Sequence, residues 1–148
     1  AGTGDLNPGL DYALEEPAIR TNVVGWTAAV DWAYGRFEGQ GGGHLVVITS
    51  VGGLRGGGAA PAYNASKAYQ INYAEGLRQR AAKSGLPLPV TDMAKGEGLF
   101  WVMPVDRAVE GIVRAIRRRS RVAVVTRRWR IVAWLIRHMP ECIYRKMG

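Results

Sequence analysis

Tyr63 and Lys67 stand four residues apart, with Ser50 thirteen residues before the tyrosine and Asn22 twenty-eight before the serine. A hydroxyl, a phenol and an ammonium group gathered in one place make a proton-transfer site. In "YNASKAYQINYAEGLRQRAAK" the apolar residues recur at helical spacing, so Tyr63 and Lys67 fall one turn apart on one face. A free phenol holds its proton up to a pKa of about 10, and a neighbouring positive charge favours the phenolate. A tyrosine tuned this way donates or takes a proton near neutral pH. Tyr-x-x-x-Lys alone is a weak signal, arising by chance in roughly one chain in four of this length. Most such pairs are one helix face, with an aromatic packed inward and a lysine in solvent.

The surroundings raise the pair above that background. Ser50 ends "GGGHLVVITS", whose apolar run "LVVI" is bounded by glycines and reads as a buried strand. A serine at the carboxyl end of such a strand sits where open α/β sheets place their ligand crevice. "SVGGLRGGGAAPA" then forms a Gly-rich loop leading to Pro61, which suits the first turn of the next helix. That helix is expected from about Ala62 to Lys83. Before the strand, Glu15 to about Glu38 reads as one long helix containing Asn22, with Val23, Thr27, Val30 and Tyr34 along one stripe.

These residues resemble the central and catalytic part of a short-chain dehydrogenase/reductase, most specifically over "TNVVGW … GGHLVVITSVGGLRGGGAAPAYNASKAYQINYAEGLRQRAAKSGL". The resemblance covers residues 1 to about 126, and 20–86 is its specific core. It implies an α/β fold with a Rossmann-like, doubly wound parallel sheet. It implies Tyr63 as the general acid/base, with Lys67 lowering the tyrosine's pKa and hydrogen-bonding the nicotinamide ribose. Ser50 would orient the substrate oxygen, and Asn22 would help hold the water that links Lys67 to solvent. Ala1 and Gly2 resemble the end of the family's Asn-Asn-Ala-Gly element, with both asparagines absent. An NAD(P) cofactor follows, NADP preferred over NAD, and a homodimer or homotetramer assembled through the helices around Asn22 and Tyr63.

Departures from the family pattern are equally informative. The family opens with a strand, a Gly-rich turn and a helix that hold the dinucleotide pyrophosphate, then an acidic or basic selector for the ribose. No such element precedes residue 20, and the glycine clusters at Gly41–Gly43 and Gly56–Gly58 read instead as a helix-to-strand turn and a loop. The chain therefore reads as the second half of a Rossmann-type domain, part of a longer polypeptide. After the catalytic helix the family places a strand and then Pro-Gly. Here "SGLPLPVTDMAKGEG" is expected to run from helix to loop with no strand long enough to pair, as if about ten residues were lost. The run Pro89-Val90-Thr91-Asp92-Met93 resembles a shortened remnant of that element, and Pro89, Val90 and Thr91 are assigned to cofactor binding with Ala1, Gly2, Tyr63 and Lys67.

Composition bounds the remaining possibilities. At 148 residues with 47% hydrophobic content the chain suits one domain with a real core. Its single cysteine, Cys142, excludes an intrachain disulfide and fits a reducing compartment, so a cytoplasmic location is expected. His44 and His138 are far apart in sequence and lack a cysteine or carboxylate cluster, which argues against a metal site. The net charge of +8 is uneven: residues 1–106 carry 8 Lys/Arg and 10 Asp/Glu, residues 107–148 carry 12 and 2. The whole basic excess belongs to the carboxyl-terminal part.

The remaining segments are read more coarsely. In 94–103 the cluster Leu99 to Met103 either covers a hydrophobic substrate or packs on the core. A helix is expected from Asp106 to about Arg118 with Val105, Val109, Ile112, Val113 and Ile116 inward, followed by a strand at "RVAVVT". We divide the chain into a catalytic part, 1–126, and a basic, apolar, helical extension, 127–148. That extension is too short to span a bilayer, which takes about 20 apolar residues. It has three readings: a helix lying in a membrane interface, packing on the domain or a second subunit, and nucleic-acid binding, the least favoured. The functional expectation is an oxidoreductase interconverting a carbonyl and an alcohol on a small hydrophobic substrate. A non-catalytic dehydrogenase-like binding protein and a membrane-surface module are the alternatives.

Overall fold

The computed structural model describes residues 4–95, 105–124 and 127–144. Helix α1 spans Tyr12–Ile19 and is capped by Asp11, whose carboxylate accepts from the Ala13 N–H at 2.9 Å. It runs without a break through a π-helical segment, Arg20–Gly25, into α2, Trp26–Gly39. The expected long helix is thus present, interrupted only by a widened turn around Asn22. Helix α2 buries Val30 and Tyr34. Gly41, at φ +78°, then turns the chain, and the Gly42 N–H donates to the Phe37 carbonyl at 2.8 Å.

Strand β1, Leu45–Ser50, follows, and alternate residues Leu45, Val47 and Thr49 are buried. After a short 3₁₀ turn, Val51–Leu54, helix α3 spans Pro61–Lys83 with its proline in the first turn as expected. Strand β2 is Val90–Lys95, α4 is Val105–Arg117 and β3 is Val122–Val124. Two further helices, α5 at Arg127–His138 and α6 at Glu141–Tyr144, complete the described chain. Among the described residues the strands form one parallel sheet in the order β1–β2–β3. Crossover helices α3 and α4 join them, as parallel pairing requires. The core lies where α2 and α3 cover the sheet: Val30, Tyr34, Leu45, Val47, Ala74, Leu77, Ala81, Leu88 and Val90.

Two expectations need correction. The segment after α3 does form a strand, and it is the central one. Its register pairs Leu45 with Val90 and Ser50 with Lys95. Thr91 and Asp92 give this stretch a loop-like look, yet both are buried because their polar groups find partners. The Asp92 Oδ1 accepts the Thr49 hydroxyl at 2.5 Å, and the Thr91 hydroxyl meets His44 Nε2 at 2.9 Å. On α4 the inward stripe is also rotated from the expected one. Ala115 is buried and Ile112 and Ile116 are half-buried, whereas Val109 and Val113 are exposed. The side chain of Val105 and the apolar run Leu99–Met103 lie outside the described residues.

Candidate active site

Tyr63 and Lys67 share one face of the first turns of α3, as their spacing requires. The Lys67 Nζ stands 5.5 Å from the centre of the Tyr63 ring. Lys67 is only 4% exposed, so its ammonium needs polar company. It donates to Gln70 Oε1 at 3.2 Å, and Gln70 in turn donates through Nε2 to the backbone carbonyl of Asn22 at 2.8 Å. The Asn22 side-chain amide donates to Ser66 Oγ at 3.0 Å, and Ser66 donates to the Tyr63 carbonyl at 2.7 Å. A closed polar network therefore ties the helix of the tyrosine to the π-helical segment. π-helical turns are frequent at functional sites. Gln70 is the residue that sequence reasoning missed. It lies three positions after Lys67 on the same face, which was the available signal, but its partner is 48 residues away.

Ser50 reaches this helix through the turn that follows it. Its Oγ accepts from the Gly52 N–H at 3.0 Å, leaving its proton to donate, and its side chain is fully buried. Glycine lets this turn lie close against α3. A methyl group at Gly52 would come within 2.6 Å of the Asn64 side-chain amide and 3.4 Å of Ser50 Oγ. One at Gly53 would meet the Lys67 carbonyl carbon at 2.6 Å and the Ala68 nitrogen at 2.8 Å. The serine's turn is thus packed against the helical turn that bears Tyr63 and Lys67.

Two further segments close in. Gly4 lies against the Tyr63 ring so tightly that a Cβ there would be 2.2 Å from the ring's Cδ2. The segment is anchored by buried Asn7, whose backbone N–H donates to the Ala59 carbonyl at 2.7 Å. Ala1 and Gly2, assigned to cofactor binding, lie outside the described residues. On the other side the tail docks onto the Gly-rich loop through Arg55. Its Nη1 donates to the carbonyls of Met139 at 2.5 Å and Ile136 at 3.4 Å, at the carboxyl end of α5. The same guanidinium pairs with Glu141 and lies 4.1 Å from the centre of the Tyr144 ring, whose hydroxyl donates to the Gly56 carbonyl at 2.7 Å.

Pro89, Val90 and Thr91 are not brought to this place. They stand at the amino end of β2, where Pro89 accepts from the Leu45 N–H, five residues or about 16 Å along the strand from the Ser50 edge. Their assignment to cofactor binding is therefore corrected. Ligands of open α/β sheets sit beyond the carboxyl ends of the strands. The backbone of β2 that does reach that edge is Lys95, in register with Ser50.

The sequence profile described as short chain dehydrogenase matches residues 7–96. The chain belongs to the short-chain dehydrogenase family. An uncharacterized oxidoreductase of Mycobacterium tuberculosis strain H37Rv is 33% identical over 142 residues, 88% of this chain and 55% of that protein. Among solved structures, the apo form of LigD from Sphingobium sp. strain SYK-6 superposes with a TM-score of 0.77 at 22% identity, over 92% of this chain and 57% of that one. A short-chain dehydrogenase from Sphingobium yanoikuyae, in complex with NADPH, gives 0.73 at 23% identity, over 89% and 59%. These likenesses give a Rossmann-type fold. This short-chain dehydrogenase chain spans somewhat over half the length of the relatives it matches.

Proposed function

We propose that the protein is an NAD(P)-dependent oxidoreductase that interconverts a carbonyl and an alcohol on a hydrophobic substrate, with Tyr63 as general acid/base. The observation that supports this reading best is a buried ammonium, Lys67, beside the Tyr63 ring and oriented by the Gln70–Asn22 network. A positive charge there favours the phenolate, so Tyr63 gives up or takes back a proton near neutral pH. The donor set fits a dinucleotide: an ammonium and a phenol can hold the two ribose hydroxyls beside nicotinamide, near the carboxyl end of β1. When bound, the nicotinamide supplies or accepts the hydride. In the reducing direction Tyr63 Oη protonates the carbonyl oxygen as the carbon gains its hydrogen, and Ser50 Oγ donates to that oxygen to fix its position. Because Ser50 is fully buried, that contact requires its cover to open as substrate arrives.

The apolar run Leu99–Met103 supports a hydrophobic substrate. In this reading NADP is preferred over NAD, residues 1–126 are the catalytic part, and the working protein is a cytoplasmic homodimer or homotetramer. Residues 127–148 form an extension that makes peripheral contact with a membrane. The test is Tyr63→Phe in the intact protein, assayed with NADPH and a panel of hydrophobic ketones. Turnover should fall by about 10²–10⁴ while cofactor affinity stays within a few-fold. Turnover within a few-fold of wild type removes Tyr63 from this role. Lys67→Ala should weaken both turnover and cofactor binding, and unchanged cofactor affinity would count against its ribose contact.

A further inference from the structure

Helix α5 is apolar on two opposite sides. Its stripe Trp129, Val132, Ala133 and Ile136 is half-buried against the body of the protein. Its other stripe, Ile131, Trp134 and Leu135, is 63%, 60% and 45% exposed at helical spacing. Exposed Arg130 and Arg137 line one edge of that stripe, beside Trp134. The helix is held from behind by the Arg55 clamp on its carboxyl end, so the outer face points in a set direction. We infer that this outer face is a docking surface for an anionic lipid bilayer. The proposal deepens the membrane contact proposed for the extension and is independent of the chemistry assigned to Tyr63.

Three observations select a bilayer over the other occupants. Residues 127–148 hold 6 Lys/Arg and 1 Asp/Glu, and the single acid, Glu141, is already paired with Arg55. A second copy docking isologously would set like charge against like, which disfavours self-association through this face. A nucleic acid would find one ring on this stripe, Trp134, already stacked on His138 at 4.9 Å, and would leave aliphatic Ile131 and Leu135 uncovered. A phospholipid interface accommodates every part. The aliphatic side chains enter the acyl boundary, the Trp134 indole sits at headgroup level, and the arginines meet phosphate. Among the described residues no helix is long and apolar enough to cross a membrane, so α5 lies on the surface rather than spanning it.

The intact protein is sedimented with phosphatidylcholine vesicles, with and without phosphatidylglycerol, alongside the double variant Trp134→Ser/Leu135→Ser. Both positions are exposed, and matching circular dichroism and cofactor affinity establish that the variant is folded. Wild type should partition onto the anionic vesicles and be released as salt is raised, and the variant should bind at least about tenfold more weakly. Failure of wild type to bind anionic vesicles overturns the proposal, as does equal binding to neutral ones or undiminished binding of the variant. A stripe that serves a second copy would show as variant-sensitive self-association without lipid binding, and one that serves nucleic acid as variant-sensitive oligonucleotide binding; either overturns it. Tyr63→Phe should bind vesicles as wild type does, so loss of turnover and loss of vesicle binding report on separate ideas.

Discussion

Replacing Arg55 with alanine should free the carboxyl-terminal helices while leaving the sheet intact. The last carbonyls of a helix have no partner within it, and a cation placed there satisfies them and opposes the negative end of the dipole. Arg55 does this for α5 with one close bond, 2.5 Å to Met139, and one long bond, 3.4 Å to Ile136. A hydrogen bond from a charged group contributes about 1.5–3 kcal/mol, and the long one adds little. The cation–π contact with Tyr144 at 4.1 Å adds about 0.5–1 kcal/mol. The ion pair with Glu141 is discounted to about 0.5 kcal/mol or less, because the Glu141 side chain is 69% exposed. Water recovers part of the loss, leaving about 2–3 kcal/mol, or roughly 30- to 150-fold in the opening equilibrium. Hydrogen exchange read by mass spectrometry should therefore show amides of 127–144 exchanging faster by about that factor, with α3 unchanged. Glu141→Gln should change the same amides by only a few-fold. If exchange in 127–144 stays within threefold of wild type, or α3 accelerates equally, the clamp does not hold the tail.

Other consequences follow from the same geometry. Gly53→Ala pushes a methyl group onto the backbone of Lys67 and Ala68, at 2.6 and 2.8 Å, so unfolding stability should drop by about 1–3 kcal/mol, with activity falling as the Ser50 turn shifts. Gly35→Ala, in open space on α2, is the control and should be neutral or slightly stabilising in the same denaturant titration; equal losses would refute the packing argument. Burial raises the Asp92 carboxyl above the usual carboxylate range, while the Thr49 hydrogen bond and Arg78 oppose that rise. Its contribution to stability is full below about pH 4 and is lost as pH rises through the raised value. Asp92→Asn should thus stabilise the protein at pH 7 by about 1.4 kcal/mol for each unit of that rise and make no difference in acid. A variant that is less stable than wild type at pH 7 would show that the carboxylate is compensated in place.

Much of the local arrangement could be read from residue order. The glycine-bounded run ending in Ser50, the first-turn Pro61 and the four-residue step from Tyr63 to Lys67 are local patterns, and they were enough to mark where β1 and α3 lie. Where polar residues occupy buried positions, order misled. Thr91 and Asp92 suggest a loop until His44 and Thr49, 47 and 43 residues away, supply their hydrogen bonds. Strand register then decides placement, since pairing Ser50 with Lys95 puts Pro89–Thr91 at the end of the sheet away from Ser50. The amide bridge from Lys67 through Gln70 to Asn22 and the Arg55 clamp on the tail are likewise products of folding, because each joins groups whose separation in sequence leaves no local trace. Sequence alone thus determined that a phenol and an ammonium lie one turn apart on one helix. Tertiary structure decided what holds those groups, which strand residues lie level with Ser50 and which side of α5 meets solvent, since hydrogen-bond satisfaction and burial are settled between segments.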